Sequence, residues 1–246
     1  VPRGPDRTPL MSYLVATDLD GTLLRHDFTV SARTRQALAD AVAAGIAVVY
    51  ATGRPPRWLP EVYEVTGLSP VTVCANGALT LLDEEPLDIN AIPTDVVDEV
   101  RGLLIDHRED FVIHTEQWRG HTLKMLAALP DVDHGQADDV LTAVREVAGH
   151  LVEPTHSAHG RLLIEMGPSG VTKAHALQRL RAQMWPDATF IAVGDMPNDE
   201  AMLRSADLPM TVATGHPWLR SVAGRVLPGP DDDGVALLLE ELTGPR

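Results

Sequence analysis

Apolar residues of this chain fall into short continuous runs that alternate with segments of helical spacing. The runs over residues 13–17 and 46–51 are apolar without alternation, which is typical of strands buried on both faces of a parallel sheet. Between them, residues 32–44 carry apolar side chains at helical spacing, with Ser31 as a candidate N-cap and Gly45 as a candidate C-terminal cap. The first third of the chain therefore predicts repeated strand–helix units.

The pattern changes over residues 84–166. This segment combines helical patterns over 94–107 and 137–149 with runs that are typical of antiparallel strands, and its first part, 84–93, is loop-like. After residue 167 the strand–helix pattern of the first part returns. The economical interpretation is one α/β domain that is interrupted by an inserted second domain.

We therefore predict an α/β fold with a Rossmann-like three-layer core around a parallel sheet. Residues 11–83 and 167–246 are expected to form this core, and residues 84–166 an inserted α+β cap domain. Residues 1–10 are polar and rich in proline, so we expect a flexible upstream extension or a remnant of cloning, with Met11 as the natural start.

Composition and charge narrow the range of partners. The 246 residues carry a formal net charge of −15, which repels the phosphate backbone of nucleic acids and the anionic surface of a membrane. The longest apolar stretch is far shorter than a membrane span, and Cys74, the only cysteine, cannot form an internal disulfide. We expect a cytoplasmic protein with no nucleic-acid or membrane partner, and the sequence leaves the oligomeric state open.

Acidic residues follow two of the predicted strands. Asp18 and Asp20 come directly after the first strand, and Asp195 and Asp199 follow a strand predicted over 189–194. Because ligands bind beyond the carboxyl ends of the strands in an open parallel sheet, we expect these carboxylates to meet at one edge. Crowded carboxylates either take up protons or hold a cation, and hard oxygen ligands without His or Cys favour Mg²⁺.

Candidate anion-binding groups lie at the same edge of the predicted sheet. Thr52 offers a hydroxyl at the end of the second strand, and Gly53 lets the backbone approach a ligand. Lys173 lies in the first turn of a predicted helix, where a cation is unfavourable unless an anion binds beside it. A metal site, a hydroxyl, an amine and backbone amides together indicate a site that binds a phosphoryl group.

These segments resemble the haloacid dehalogenase-like superfamily, and within it the Cof-type sugar-phosphate phosphatases that carry an α+β cap. Four segments match its motifs in chain order, two more resemble the same subfamily, and the similarity extends from about Tyr13 to the C-terminal helix. The matching stretches are DLDGTLL at 18–24, ATGR at 51–54, Lys173, GDMPNDEAML at 194–203, CANGA at 74–78 and IEMGPSGVTK at 164–173.

The resemblance implies a role for each motif residue. Asp18 would be the nucleophile that forms an aspartyl-phosphate intermediate, and Asp20 the general acid for the leaving alkoxide and then the base that activates water. Mg²⁺ would be bound by Asp18, the backbone carbonyl of Asp20 and Asp195, with Asp199 holding a metal-bound water. Thr52, Lys173 and Asn198 would hold the phosphoryl oxygens, and at the same substrate-binding edge Gly53 would approach the ligand and Thr22 would fix the loop.

Four further residues are weaker candidates. Arg54 and Asn76 lie beside predicted strand ends, and each either contacts the phosphate or substrate or fixes its own loop. Trp118 and Arg119 lie between two predicted strands of the cap and are candidates for part of a substrate lid.

Together these features predict a Mg²⁺-dependent phosphatase that hydrolyses small phosphorylated, sugar-phosphate-like metabolites through an aspartyl-phosphate. Two alternatives stay open. One is a phosphotransferase or mutase acting on hexose phosphates, which this type of cap also supports. The other is a regulatory protein that binds a phosphorylated metabolite and keeps only vestigial activity.

Overall fold

The computed structural model of this protein describes residues 13–129, 134–156 and 162–244, so the predicted extension over residues 1–10 lies outside the described chain. The strands are β1 Tyr13–Thr17, β2 Ala47–Ala51, β3 Thr72–Cys74, β4 Leu79–Leu82, β5 Glu85–Ile89, β6 Val112–Trp118, β7 His121–Ala128, β8 Val152–Thr155, β9 Leu163–Pro168, β10 Thr189–Gly194, β11 Leu208–Val212 and β12 Arg225–Leu227. The α-helices are α1 Ala32–Ala43, α2 Leu59–Thr66, α3 Thr94–His107, α4 Ala137–Ala148, α5 Lys173–Met184, α6 Glu200–Ser205 and α7 Gly234–Thr243.

The larger sheet has eight strands in the spatial order β12–β11–β10–β1–β2–β3–β4–β5. The pairs from β12 to β3 are parallel, and β4 and β5 are added antiparallel at one edge. Between β1 and β2 the chain forms α1, where Ser31 accepts a hydrogen bond from the backbone N–H of Thr34 and Gly45 takes a φ of +83° after the last turn. Both predicted caps are therefore confirmed.

Helices cover both faces of this sheet. Two consecutive residues of β1 show that the sheet has a helical layer on each face. Val15 packs toward α1 and α7, while Leu14 packs toward α5 and α6. Both side chains are fully buried, as the unbroken apolar run predicted. The three-layer α/β core is confirmed, and no helix within the described ranges is long and apolar enough to cross a membrane.

The second sheet has four antiparallel strands in the order β6–β7–β9–β8. Helices α3 and α4 pack on one of its faces, and Val100, Met125, Val144 and Ile164 lie in the shared apolar cluster. The opposite face is turned toward the core, because side chains on it contact loops of the larger sheet, as described below. We call this face the cap floor and define it by Glu116, Lys124, Leu126, Thr155 and Glu165.

The prediction of a loop over residues 84–93 is wrong in its first half. Residues Glu85–Ile89 form β5, which pairs with β4 in the larger sheet. This edge strand has no buried face, so it lacks the apolar run on which the strand prediction depended. The domain division at 83/84 and 166/167 stays a prediction. Sheet membership favours placing the cap between Ile89 and Pro168, because β5 belongs to one sheet and β9 to the other.

Candidate active site

Three carboxylates meet where β1 and β10 end. The strands pair in parallel with Thr17 opposite Val193, and the N–H of Asp18 donates to the carbonyl of Val193 over 2.9 Å. This register brings one carboxylate oxygen each of Asp18, Asp195 and Asp199 within 4.8 Å of one another. All three side chains are buried.

Lys173 is the cation inside this cluster. It is fully buried, and its Nζ donates to Oδ1 of Asp18 over 2.6 Å and to Oδ1 of Asp199 over 2.7 Å. Helix α5 begins at Lys173, with Thr172 as its N-cap, and this fixes the start of the side chain beside the strand ends.

The cluster carries more negative than positive charge. Burial raises the pKa of Asp18 well above its usual value, and the neighbouring carboxylates add to the rise against the effect of Lys173. Burial likewise raises the pKa of Asp199. Burial alone would lower the pKa of Lys173, but Asp18 and Asp199 outweigh it and raise that pKa. Three carboxylate oxygens beside a single ammonium leave an excess of negative charge. A divalent cation would balance this excess and accept the oxygens as ligands.

Hydrogen bonds to Asp199 hold the loop after β10 in place. Oδ2 of Asp199 accepts from the backbone N–H groups of Asp195 at 3.0 Å and Met196 at 3.1 Å. A Cβ at Gly194 would lie 2.5 Å from the Cβ of Asp199, so only glycine fits there. Thr22 is fully buried and donates to Oδ1 of Asp195 over 2.8 Å. Its hydroxyl thus links the loop after β1 to Asp195, and a contact of Thr22 with substrate stays a prediction.

Asp20 lies outside the acidic cluster. Its carboxylate accepts two hydrogen bonds from Arg54, at 2.8 Å from Nε and 2.6 Å from Nη2. The guanidinium in turn lies 5.0 Å from the ring centroid of Phe28, which is 59% exposed and has a φ of 62°. Arg54 is therefore placed to orient Asp20, and a metal contact through the backbone carbonyl of Asp20 stays a prediction.

Loops after β2 and β3 complete the edge. Thr52 is buried at the end of β2, and its Oγ1 accepts from the N–H of Arg54 over 3.0 Å. Ala75 and Asn76 both have positive φ, at 48° and 56°, a strained backbone that clusters at functional sites. Gly77 follows them, and a Cβ there would lie 2.3 Å from the carbonyl oxygen of Thr172.

Asn76 joins this edge to the cap. Its Oδ1 accepts from Nδ2 of Asn198 over 3.1 Å, and its own Nδ2 donates to Glu165 over 2.6 Å. Asn76 and Asn198 thus contact each other, and they line a cavity of about 280 Å³ together with Lys173, Glu153 and Thr155.

Two residues of the cap floor escaped the sequence prediction. Lys124 donates from Nζ to the carbonyl of Gly53 over 2.7 Å and to Oε2 of Glu165 over 2.9 Å, and both side chains are buried. A signal was present for Lys124, because the chain has only two lysines and the other is Lys173. Glu165 lies in a stretch that we quoted for its resemblance, without a role.

Trp118 and Arg119 lie away from the acidic cluster. The guanidinium of Arg119 is 4.3 Å from the ring centroid of Trp118, and both residues line a cavity of about 400 Å³ beside Arg57 and Tyr63. No carboxylate of the cluster lines this cavity. A role for Trp118 and Arg119 in a substrate lid stays a prediction.

Comparison with known proteins agrees with the geometry. The sequence profile of the haloacid dehalogenase-like hydrolases matches residues 15–121 and 117–239. The chain belongs to this family. The match includes both the strand ends that carry the acidic cluster and most of the cap.

Relatives of this haloacid dehalogenase-like hydrolase are named as phosphatases. The 5-amino-6-(5-phospho-D-ribitylamino)uracil phosphatase YcsE of Bacillus subtilis is 27% identical, over 91% of this chain and 92% of that protein. A phosphoglycolate phosphatase of Archaeoglobus fulgidus is 25% identical, over 93% and 96% of the two chains. This hydrolase is therefore a phosphoric monoester hydrolase.

A solved structure shares the whole fold. SMU.1108c from Streptococcus mutans UA159 superposes with a TM-score of 0.82, at 19% identity, over 94% of this chain and 98% of that chain. At this identity the likeness establishes the arrangement of core and cap, and says nothing about the substrate.

Proposed function

We propose that this protein is a Mg²⁺-dependent phosphatase that hydrolyses small phosphorylated, sugar-phosphate-like metabolites through an aspartyl-phosphate on Asp18. The observation that carries the proposal is the buried cluster of Asp18, Asp195 and Asp199 around Lys173. Such a cluster is costly for a folded chain, because like charges are held together away from water. Its arrangement is explained by a ligand that brings both a cation and an anionic group.

Mg²⁺ fits the donor set of this cluster, since all the available ligands are hard oxygens. Asp18 and Asp195 would hold the ion, with Asp199 supporting it. When bound, Mg²⁺ supplies positive charge that offsets the negative charge of the phosphoryl group.

The residues around the cluster provide the remaining parts of phosphoryl transfer. Oδ1 of Asp18 is held by Lys173, which orients the carboxylate and can also hold a phosphoryl oxygen. Attack by Asp18 on phosphorus forms the acyl-phosphate bond and breaks the bond to the leaving oxygen. Water then hydrolyses the acyl-phosphate, which releases inorganic phosphate and restores the carboxylate.

Asp20 is proposed to move the proton in both steps. It protonates the leaving oxygen in the first step and removes a proton from water in the second. Arg54 fixes the direction of this carboxylate. One oxygen of Asp20 must turn from Arg54 to the reacting oxygen during turnover, so Arg54 acts as a positioning residue.

The names of the relatives support small phosphorylated metabolites as the substrate class. One relative is named for the phosphate ester of a ribityl chain and another for phosphoglycolate. Leaving groups of different size and charge thus occur among proteins with this core. The cap of the present chain is where the choice between them is expected to lie.

Turnover of a panel of phosphate esters, followed as released inorganic phosphate with MgCl₂ and with EDTA, tests the proposal. We expect turnover that needs Mg²⁺ and falls by at least about a thousandfold in Asp18→Asn. Asp110→Asn is the control, because Asp110 is paired with Arg108 on the exposed surface. Folded wild-type protein that releases no phosphate from any ester would refute the proposal. An isomerised sugar phosphate as the product would favour a mutase, and binding without turnover a regulatory protein.

A further inference from the structure

Phe28, in the loop between β1 and α1, has a conformation that apolar packing does not explain. Its φ is 62°, and it is 59% exposed. A bulky side chain at positive φ is an outlier, because its Cβ crowds the neighbouring backbone. Within the part of the chain that the structure describes, Phe28 belongs to none of the four apolar clusters. The reason for its position therefore lies in another contact.

The turn that presents Phe28 is held by hydrogen bonds that do not use its side chain. The N–H of Phe28 donates to the carbonyl of Arg25 over 2.9 Å, and the N–H of Arg25 donates to the carbonyl of Thr29 over 2.9 Å. Oδ1 of Asp27 accepts from the N–H of Thr29 over 3.0 Å and from its hydroxyl over 2.6 Å. Arg25 also pairs with Asp233 over 3.2 Å. Replacement of the ring should therefore leave this turn in place.

The ring of Phe28 contacts the arginine that holds Asp20. The Cζ of Arg54 lies 5.0 Å from the ring centroid, which is within the range of a cation–π interaction. Nε and Nη2 of Arg54 donate to the two carboxylate oxygens of Asp20. These bonds use the edge of the planar guanidinium and leave its face to the ring, so both contacts can be made at the same time.

The proposed reaction loosens the ion pair between Arg54 and Asp20. One oxygen of Asp20 turns to the leaving oxygen, so Arg54 then keeps only one of its two hydrogen bonds to this carboxylate. A long side chain held by a single hydrogen bond has more rotamers open to it, and their entropy competes with the productive arrangement. The contact with Phe28 does not use the N–H groups that face Asp20, so it persists during this movement. The ring is thus placed to keep the guanidinium fixed while the carboxylate turns.

We propose that Phe28 is a positioning residue, whose ring holds Arg54 and, through it, the carboxylate of Asp20 in the direction needed to protonate the leaving oxygen. The inference rests on the proposed phosphatase function. In the first step Asp20 gives its proton to the leaving oxygen as the bond between that oxygen and phosphorus breaks, and Asp20 is left ionised. An ester whose leaving group departs without a proton does not need this transfer. Its turnover should therefore not depend on Phe28.

A second arginine of the chain provides a matched control. Arg57 donates to both carboxylate oxygens of Glu116, and its Cζ lies 4.9 Å from the ring centroid of Trp58. Arg57 lines the cavity of about 400 Å³, which no carboxylate of the acidic cluster lines. Trp58 is also about half exposed. Trp58→Leu thus removes a similar ring from a similar ion pair without affecting the contacts of Asp20.

The variants Phe28→Leu and Phe28→Tyr test the inference through kcat/KM on two esters. One is the alkyl phosphate with the highest turnover in the panel, whose leaving alkoxide needs a proton. The other is p-nitrophenyl phosphate, which releases a stable phenolate. Because kcat/KM covers the steps up to release of the leaving group, the later hydrolysis of the acyl-phosphate does not enter the comparison.

We expect Phe28→Leu to lower kcat/KM about fivefold on the alkyl ester and less than about twofold on p-nitrophenyl phosphate. Phe28→Tyr keeps the face of the ring, so it should stay within about twofold of the wild type on both esters, as should Trp58→Leu. In an Arg54→Gln background, Phe28→Leu should cost less than about twofold on the alkyl ester, because the ring acts through the guanidinium.

Equal losses on both esters in Phe28→Leu would overturn the inference, because they would mean that Phe28 contacts the substrate or supports the fold. Unchanged kcat/KM on both esters, a Phe28→Tyr variant as slow as Phe28→Leu, or an undiminished loss in the Arg54→Gln background would overturn it too. Folded wild-type protein without turnover on any ester would instead contradict the proposed function, and the inference with it.

Discussion

The two buried lysines of this protein lie in contrasting electrostatic environments. Lys173 donates to two carboxylates, and a third closes the same cluster. Lys124 donates to one carboxylate and one carbonyl oxygen. The cluster at the sheet edge thus sets three carboxylates against one ammonium, while Lys124 faces one carboxylate on the cap floor. The comparison teaches that the first site needs a further cation, whereas the second joins the cap to the core through Gly53 and Asn76.

The most direct test of the difference between the two sites is to remove each ammonium in turn. We expect Lys173→Met, in EDTA, to lower the free energy of unfolding by about 3–5 kcal/mol, because it leaves buried carboxylates without their counter-ion. Added MgCl₂ should recover part of this loss and stabilise the variant more than it stabilises the wild type, since binding to the folded state shifts the equilibrium. Urea unfolding with and without MgCl₂ measures both effects.

Lys124→Met is the matched control for that experiment. It also removes an ammonium from beside a buried carboxylate, that of Glu165, but it does so away from the proposed metal ligands. Its increment of stability with MgCl₂ should equal that of the wild type. A larger increment in Lys124→Met than in the wild type would show that the two sites are not electrostatically distinct.

A second prediction concerns the pH dependence of stability without metal. Folding raises the pKa of Asp18 and of Asp199 above the usual carboxyl value of 3.8, mainly through burial. The folded state then holds protons that the unfolded state releases, so stability falls as pH rises from the ordinary carboxyl range through the raised pKa values. We expect Asp18→Asn to flatten this fall, because it removes one of the titrating groups.

Urea unfolding in EDTA at several values between about pH 4 and pH 8 gives the two profiles. Asp110→Asn is the control, since the pKa of Asp110 is lowered by its hydrogen bond from Arg108. Profiles of wild type and Asp18→Asn that run parallel over this range would contradict the excess charge that we assign to the cluster.

The sequence was sufficient to predict the cluster, but not the cap floor. Asp18 and Asp195 follow strands that are parallel neighbours, and parallel strands end at one edge of a sheet, so their meeting follows from topology. Lys124 and Gly53 come together only when the cap sheet docks on the core. The periodicity of the sequence predicts local elements and gives no information on how the two sheets dock. From the sequence alone, a lysine within a strand is expected to be exposed.

The same limit applies to the direction of single side chains. The spacing of Asp18 and Asp20 indicated two carboxylates near one site, yet Asp20 turns to Arg54 and away from the cluster. Thr22 was expected to fix its loop, but the sequence did not indicate that its partner is Asp195. The edge strand β5 was missed for a different reason, because its residues have no buried face.

The place where the two environments meet is Gly53, whose carbonyl accepts from Lys124 and whose neighbour is Thr52. A third prediction is that Gly53→Ala lowers kcat/KM on sugar phosphates by about tenfold. The new methyl group must push Asn76 or Glu165 by a few tenths of an ångström. In a Glu165→Ala background the same change should cost less, because one of the two close neighbours is gone. Full additivity of the two changes would argue that Gly53 and Glu165 do not share a site.

The smallest expected effect comes from Gly102→Ala in the cap helix α3. Gly102 is exposed, and a Cβ there meets nothing within 4 Å. Alanine should therefore raise the free energy of unfolding by about 0.5–1 kcal/mol, because it reduces the freedom of the unfolded chain and favours the helix. Because α3 packs on the face of the cap sheet opposite the cap floor, kcat/KM should stay unchanged on every ester. A stabilised cap that also slows or speeds turnover would show that local opening of the cap limits the reaction.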